Sequence, residues 1–263
     1  MIRTSLLRLT AAGIALTALP AAAVDHNNID ARRPLSFDDA DSLAYREQAL
    51  EFGLGLGLTR RRALGIGMAA EYLYGYQMNS HLSVGLDPTF GGRARDRDTR
   101  FDLGAVSVGW LRNFNRQHGR TPAFALRADL LAPTGIGGRG VGFRLRGIAT
   151  RQAGRYGRAH LNLDLNGNPG AGGGERDLHG AMVLGYSRPL GYPTRFATTG
   201  LAELSVRQGE DQGTGPGMGV GLGLRKQVGV LSVVDVGLQT DLVGWSGSPR
   251  DRVRFVVGYS RGF

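Results

Sequence analysis

Charged side chains recur at every second position in several stretches of this 263-residue chain. Arg127 precedes Asp129, Arg144 precedes Arg146, His160 precedes Asp164 across Asn162, Glu203 precedes Arg207, and Arg225 stands among glycines and leucines. Glu71, Asp235, Asp241 and Arg254 occupy comparable positions. Residues two apart project from one face of a strand, so this spacing gathers acids and bases on a common surface, where opposite charges on adjacent strands can pair. Two chemistries suit such a surface. One is a rigid network of ion pairs, and the other is a polar conduit whose arginine-rich lining favours anionic or polar solutes.

Other motifs carry less. His81-Leu82-Ser83 has the residue types for nucleophilic catalysis, in which an oriented imidazole takes the hydroxyl proton. Leu82, Val84 and Leu86 form the apolar parity here, so His81 and Ser83 face the opposite side, and no polar residue can be assigned to orient the ring. Asp38, Asp39 and Asp41 could hold a cation, but the glycine and distal glutamate of a calcium loop are missing, and a solvated tail is expected. Gly53-Leu54-Gly55-Leu56-Gly57 and Gly137-Gly138-Arg139-Gly140 open no helix and precede no Lys-Ser/Thr, which excludes the nucleotide-binding readings. The chain has no cysteine, so thiolate metal sites, thiol catalysis and disulfides are excluded, and no metal or cofactor is expected.

The elements that must position these residues are strands. Residues 1–23 read as a secretory signal peptide: Arg3 and Arg8 are basic, 9–19 are apolar, and Ala21-Ala22-Ala23 offers a cleavage site. Beyond it no apolar run approaches the roughly 20 residues of a membrane helix. Residues 24–48 are polar, are broken by Pro34, and are expected to form a periplasmic extension, either flexible or folded back as a plug. From 49 to 263 the pattern has period two, as in Leu50, Phe52, Leu54, Leu56 and Leu58 against Glu51, Gly53, Gly55 and Gly57. Similar runs cover 64–75, 81–88, 101–112, 122–132, 141–150, 158–166, 178–188, 194–207, 218–227, 231–242 and 253–263. About twelve strands result, most near the 9 to 11 residues of a tilted membrane strand, and single-chain bacterial barrels have even strand numbers. An all-β, antiparallel up-and-down transmembrane barrel in the outer membrane is therefore expected.

The terminal Phe263, placed at the periplasmic rim, fixes the direction of every strand. Connections 76–80, 113–121, 151–157, 189–193 and 228–230 then fall inside, and the longer set 89–100, 133–140, 167–177, 208–217 and 243–252 falls outside, with only the first outer turn, 59–61, too short for the rule. Phe52, Tyr72, Tyr74, Trp110, Phe124, Tyr186, Phe196, Tyr259 and Phe263 gather at periplasmic ends on the apolar parity, as an interfacial girdle requires. In 159–166 a leucine face opposes His160, Asn162 and Asp164. In a barrel the leucines meet lipid and the polar face lines the lumen; in a soluble sandwich the leucines would fill the core. Gly258, Tyr259 and Phe263 read as an outer-membrane assembly signal for the barrel assembly machinery. Arg261 sits on the lipid parity but can snorkel to the interface.

The formal charge is +10, or +8 without the leader, yet export and scattered basic residues argue against nucleic acid. Arg60, Arg61, Arg62, Arg93, Arg95, Arg97 and Arg100 fall on outer turns, where guanidinium groups could meet lipopolysaccharide phosphates.

Leu130-Leu131-Ala132-Pro133-Thr134-Gly135, then Arg158-Ala159-His160-Leu161-Asn162-Leu163, then a glycine-rich closing strand resemble the outer-membrane barrels named for the meta pathway of phenol degradation. The resemblance covers about residues 120–263 and departs at Arg261, where an aromatic or apolar residue is usual. It implies a transport barrel for small, often hydrophobic or aromatic compounds and fixes no substrate. The alternatives are a structural or lipopolysaccharide-interacting barrel, and a lipid-modifying barrel enzyme built on His81 and Ser83.

Overall fold

The computed structural model describes residues 33–59, 64–91, 100–134, 140–169, 174–191, 197–244 and 251–263. Its strands are β1 (Gln48–Thr59), β2 (Leu64–Gln77), β3 (Ser80–Leu86), β4 (Thr89–Gly91), β5 (Arg100–Asp102), β6 (Ala105–Asn115) and β7 (Ala123–Pro133). They continue as β8 (Gly142–Ala153), β9 (Gly157–Gly167), β10 (Leu178–Pro189), β11 (Thr198–Arg207), β12 (Gly217–Gly229), β13 (Ser232–Gly244) and β14 (Asp251–Gly262). All pairings are antiparallel, and β1 bonds to both β2 and β14, so the sheet closes on itself. Closure leaves no open edge, the condition for a sheet to cross a bilayer.

The wall has twelve strands, because β4 and β5 prolong β3 and β6 past local breaks. The runs expected as continuous over 81–88 and 101–112 are each interrupted. Pro88 has no N–H to give, although its carbonyl still accepts from Met68 N at 2.8 Å. Opposite it, Gly104 has φ of 69°, and a Cβ there would lie 2.0 Å from the Asp87 carbonyl oxygen. Only glycine fits that crossing.

Period-two patterning resolves into two chemically distinct faces. Along β1, Leu50, Phe52, Leu54, Leu56 and Leu58 point outward and are exposed, while Glu51 on the other face is buried. Along β9, Leu163 and Leu165 are exposed, whereas His160 and Asn162 are buried. A barrel with leucines outside and ion-forming groups inside has its faces matched to lipid rather than to water. The aromatic girdle also forms: Phe52, Tyr72, Tyr74, Phe124, Tyr186, Tyr259 and Phe263 are exposed at one end of the wall. Tyr72 donates to Gln48 Oε1 at 2.7 Å, and Trp110 donates to the Tyr76 hydroxyl at 3.0 Å. Phe196 lies outside the described residues.

The lumen is not empty. Residues 33–47, expected above all as a solvated tail, run inside the barrel, with Leu35, Phe37, Ala40 and Leu43 at most 1 % exposed. Leu35 lies against Gly221 of β12, Phe37 against Gly185 of β10, and Asp38 on Asn162 of β9. Ala40 then meets Thr150 of β8 and Asn113 of β6, Leu43 meets His81 of β3, and Ala44 crosses Gly75 of β2. The segment therefore follows the inner wall strand by strand before it enters β1. Each of three buried apolar clusters includes a plug side chain: Leu35 and Phe37 with Val183 and Leu201, Ala40 with Leu111 and Ile148, Leu43 with Leu73 and Val233.

Candidate functional site: a plugged, ion-paired lumen

Every charged residue expected to line the lumen projects inward. Arg127 and Asp129 on β7 and Arg144 on β8 form one network: Arg127 Nη2 lies 2.6 Å from Glu71, its Nε 2.9 Å from Asp129, and Arg144 Nε 3.4 Å from Asp129. Arg146 forms a second, at 2.6 Å from Asp164 on β9 and 2.8 Å from Asp38 in the plug. Glu203 on β11 accepts from the Ser36 amide at 2.6 Å and from Gln239 at 2.9 Å. Arg225 on β12 faces Asp235 at 3.4 Å. Arg207 differs, because it sits at the far end of β11, is exposed, and donates to Ser205 Oγ at 3.4 Å.

Asp38, Asp39 and Asp41 are not a cation site with solvated arms. Their charges are matched by wall arginines: Asp38 by Arg146, and Asp39 and Asp41 by Arg158 at 3.3 and 2.7 Å. An acidic plug thus meets a basic wall. Breaking one partner of a buried pair costs about 3–5 kcal/mol, so the Asp38–Arg146 contact holds the segment in one position, while the partly exposed Arg158 contacts add less.

Neutral polar groups complete the anchoring. Thr150 Oγ1 accepts the Ala40 amide at 3.0 Å and lies 3.1 Å from His160 Nδ1. If Thr150 gives its own proton to Nδ1, the ring carries hydrogen on Nε2 and donates to Ser187 Oγ at 2.9 Å. In that state His160 is no base toward Ser187. Phe37 covers it, stacked at 5.0 Å between ring centroids. His81 and Ser83 are likewise committed elsewhere: His81 Nδ1 accepts the Leu43 amide at 3.3 Å, and Ser83 Oγ lies 3.5 Å from Arg127 Nη2. Both side chains are buried on the lumen face, as the parity predicts, and away from lipid.

Glycine shapes this interior in two ways. Beneath the plug, a Cβ at Gly185 would approach the Phe37 ring to 2.5 Å, one at Gly223 or Gly237 would meet Pro34 at 2.8 or 2.7 Å, and one at Gly75 would strike the Ala44 carbonyl. These positions are bare because the plug needs the space. On β2, by contrast, a Cβ at Gly65 or Gly67 would meet nothing within 4 Å. Gly67 stands opposite Gly55 of β1, and Gly65 opposite Gly57. A wall without side chains leaves an open volume there. Gly67 opens onto a cavity of about 1230 Å³ bounded also by Arg33 to Ser36 of the plug, Gly53 and Gly55 of β1, Arg144, Arg146, Arg207 and Arg254.

Gly258 and Tyr259 are in β14, with Tyr259 paired to Phe52, and Phe263 N donates to the Gln48 carbonyl at 3.0 Å. The Phe263 ring is 6.4 Å from Tyr72. Arg261 is exposed beside Leu50 at the same end. Arg60, Arg61, Arg62, Arg93, Arg95 and Arg97 lie outside the described residues, as does the side chain of Arg100.

Sequence reasoning missed the plug's own contributions, Arg33, Leu35, Phe37 and the Asp38 ion pair, and the wall groups Thr150, Ser187 and Gln239. The signal available was charge: three aspartates ahead of a wall rich in inward arginines.

No family model matches the chain. No curated protein matches it either. Solved structures do. The COG4313 outer membrane channel from Pseudomonas putida F1 superposes with a TM-score of 0.70 at 16 % identity, covering 86 % of this chain and 98 % of that one. The NanC porin superposes with a TM-score of 0.54 at 10 % identity, covering 81 % and 98 %. Closed sheet, outward apolar face, charged lumen and these neighbours make the chain a β-barrel with the fold of outer-membrane channels.

Proposed function

We propose that this protein is an outer-membrane channel for small solutes, with a charged vestibule on the extracellular side and the plug of residues 33–47 on the periplasmic side. The observation that carries the reading is the cavity of about 1230 Å³, which reaches bare backbone at Gly67 and ends on Arg33 to Ser36. A barrel evolved only as a rigid scaffold gains nothing from removing side chains where nothing else fills the space. The lining places the guanidinium groups of Arg33, Arg144, Arg146, Arg207 and Arg254 and the carboxylates of Asp87, Asp164, Glu175 and Glu210 among apolar side chains such as Leu54, Leu131 and Phe143, and so many charges suit polar solutes better than the hydrophobic compounds implied by the likeness to phenol-pathway barrels. Gly258, Tyr259 and Phe263 would address the chain to the assembly machinery, and the outer-turn arginines would meet lipopolysaccharide.

A structural barrel without transport is the second reading, favoured by the packing around Leu35, Phe37, Ala40 and Leu43, which closes the inner half of the lumen. Conductance of the purified protein in planar bilayers separates the two. Discrete current steps are expected. Absence of both current and solute uptake into proteoliposomes would leave the scaffold.

A further inference from the structure

We infer that the vestibule holds an anion-binding site, formed by the guanidinium groups of Arg33 and Arg254 lying on the glycine bed of β1, and that its ligand class is small carboxylates. This rests on the channel reading above and adds to it the charge of what passes.

The geometry begins with Gly53 and Gly55. They are successive inward positions on β1 and therefore roughly 7 Å apart. A Cβ at Gly53 would sit 2.7 Å from Arg33 Cδ and 2.9 Å from its Nη1; a Cβ at Gly55 would sit 3.4 Å from Arg254 Nε. Two guanidinium groups thus lie side by side along one strand, held flat against backbone that has no side chains to separate them. Beside them is the open space over Gly67.

Their hydrogen-bonding capacity is incompletely met, although Glu51 pairs with Arg33 and Asp235 lies within its electrostatic reach. Arg33 is nine-tenths buried and gives Nη2 to Glu51 at 2.8 Å, but its Nε and Nη1 have no hydrogen-bond acceptor among the described residues. Arg254 has no carboxylate within ion-pair distance among them. Arg144, which lines the same cavity, makes no hydrogen bond through its Nε, whose charge is met by Asp129 at 3.4 Å. Buried donors of a guanidinium are costly to leave unmet, and a carboxylate satisfies two parallel N–H groups at once. Among the cavity's acids, Asp164 is already bound to Arg146. Asp87, Glu175 and Glu210 also line it, and Arg207 stands with the last two where β11 ends. A solute entering from outside therefore meets mixed charge first and then unsatisfied arginine.

Arg254 is the position to change, because it is exposed and its removal orphans no partner, whereas replacing Arg33 would strand Glu51. The full chain is reconstituted in planar bilayers under a potassium acetate gradient. The wild type should give a reversal potential of anion preference, Arg254→Gln should reduce the acetate-to-potassium permeability ratio several-fold, and Arg254→Lys should retain part of it. Cation preference in the wild type, or an unchanged ratio in Arg254→Gln while current flows, overturns the site and leaves the channel standing. If no current flows, the channel reading fails, and saturation-transfer NMR of acetate with the detergent-solubilised protein decides the site alone. A signal weakened by Arg254→Gln supports it, and equal or absent signals overturn it.

Discussion

The Asp38 carboxylate lies 2.8 Å from Arg146 Nη1, joining the segment ahead of the first strand to the middle of the wall, 108 residues away in sequence. Arg146 also holds Asp164 on the neighbouring strand, so one guanidinium serves both barrel and plug. Asp38→Asn leaves Arg146 paired with Asp164 and bonded to the Ser36 carbonyl at 3.0 Å, and removes only the plug's carboxylate. We expect stability in detergent to fall by about 1–3 kcal/mol, read by urea unfolding, together with a rise in bilayer conductance as the segment loosens. Reduced stability with unaltered conductance would show that residues 33–47 do not control passage.

Phe37 fills the space that Gly185 leaves open. Phe37→Ala should cost about 3–5 kcal/mol, the range for removing a buried aromatic ring. Gly185→Ala should also destabilise, because the new methyl group would meet the ring at 2.5 Å. Combined, the two should cost less than their sum, since contacting sites are not additive. A double-mutant cycle on unfolding checks this, and strict additivity would mean that the ring does not rest on Gly185.

Gly67 faces open lumen, with nothing within 4 Å of a would-be Cβ. Gly67→Trp should therefore leave folding, and the gel shift between boiled and unboiled protein, unchanged while conductance drops several-fold. The same substitution at Gly75, where the Ala44 carbonyl is in the way, should instead damage folding. Equal conductance in Gly67→Trp and wild type would place the solute path elsewhere.

Ser187 takes the Nε2 contact of His160 at 2.9 Å beneath Phe37. Ser187→Ala leaves a buried ring nitrogen without its partner and should cost about 1–3 kcal/mol, measured by thermal or urea unfolding. Phospholipid turnover should be the same for wild type, Ser187→Ala, His81→Ala and Ser83→Ala. Turnover lost in any of them would restore the lipid-modifying alternative.

How much of this was legible beforehand follows from the range of each interaction. The two faces of each strand are written in neighbouring residues: Leu161, Leu163 and Leu165 against His160, Asn162 and Asp164 announce the strand and its division into an apolar and a polar face, because side-chain direction has period two and needs no partner to be read, whereas which face turns outward does not follow from the alternation. The breaks at Pro88 and Gly104 were signalled by residue type, but their alignment across adjacent strands depends on register, which the sequence leaves open.

Local alternation in the sequence determined about twelve strands and placed Arg127, Asp129, Arg144, Arg146, His160 and Glu203 on the face opposite the leucines; the leader, the loop lengths and the girdle that Phe263 joins, not the alternation, pointed to a barrel rather than a sandwich. Only the tertiary structure decided what fills the lumen. Residues 33–47 have no periodicity of their own, and their polar composition suits water equally well. Their place is set by long-range complementarity, aspartate against Arg146 and Arg158, and Phe37 and Pro34 against wall positions left bare by Gly185, Gly223 and Gly237. A glycine under the plug and a glycine beside an open cavity look the same in a sequence. What stands over each is decided only when the barrel closes.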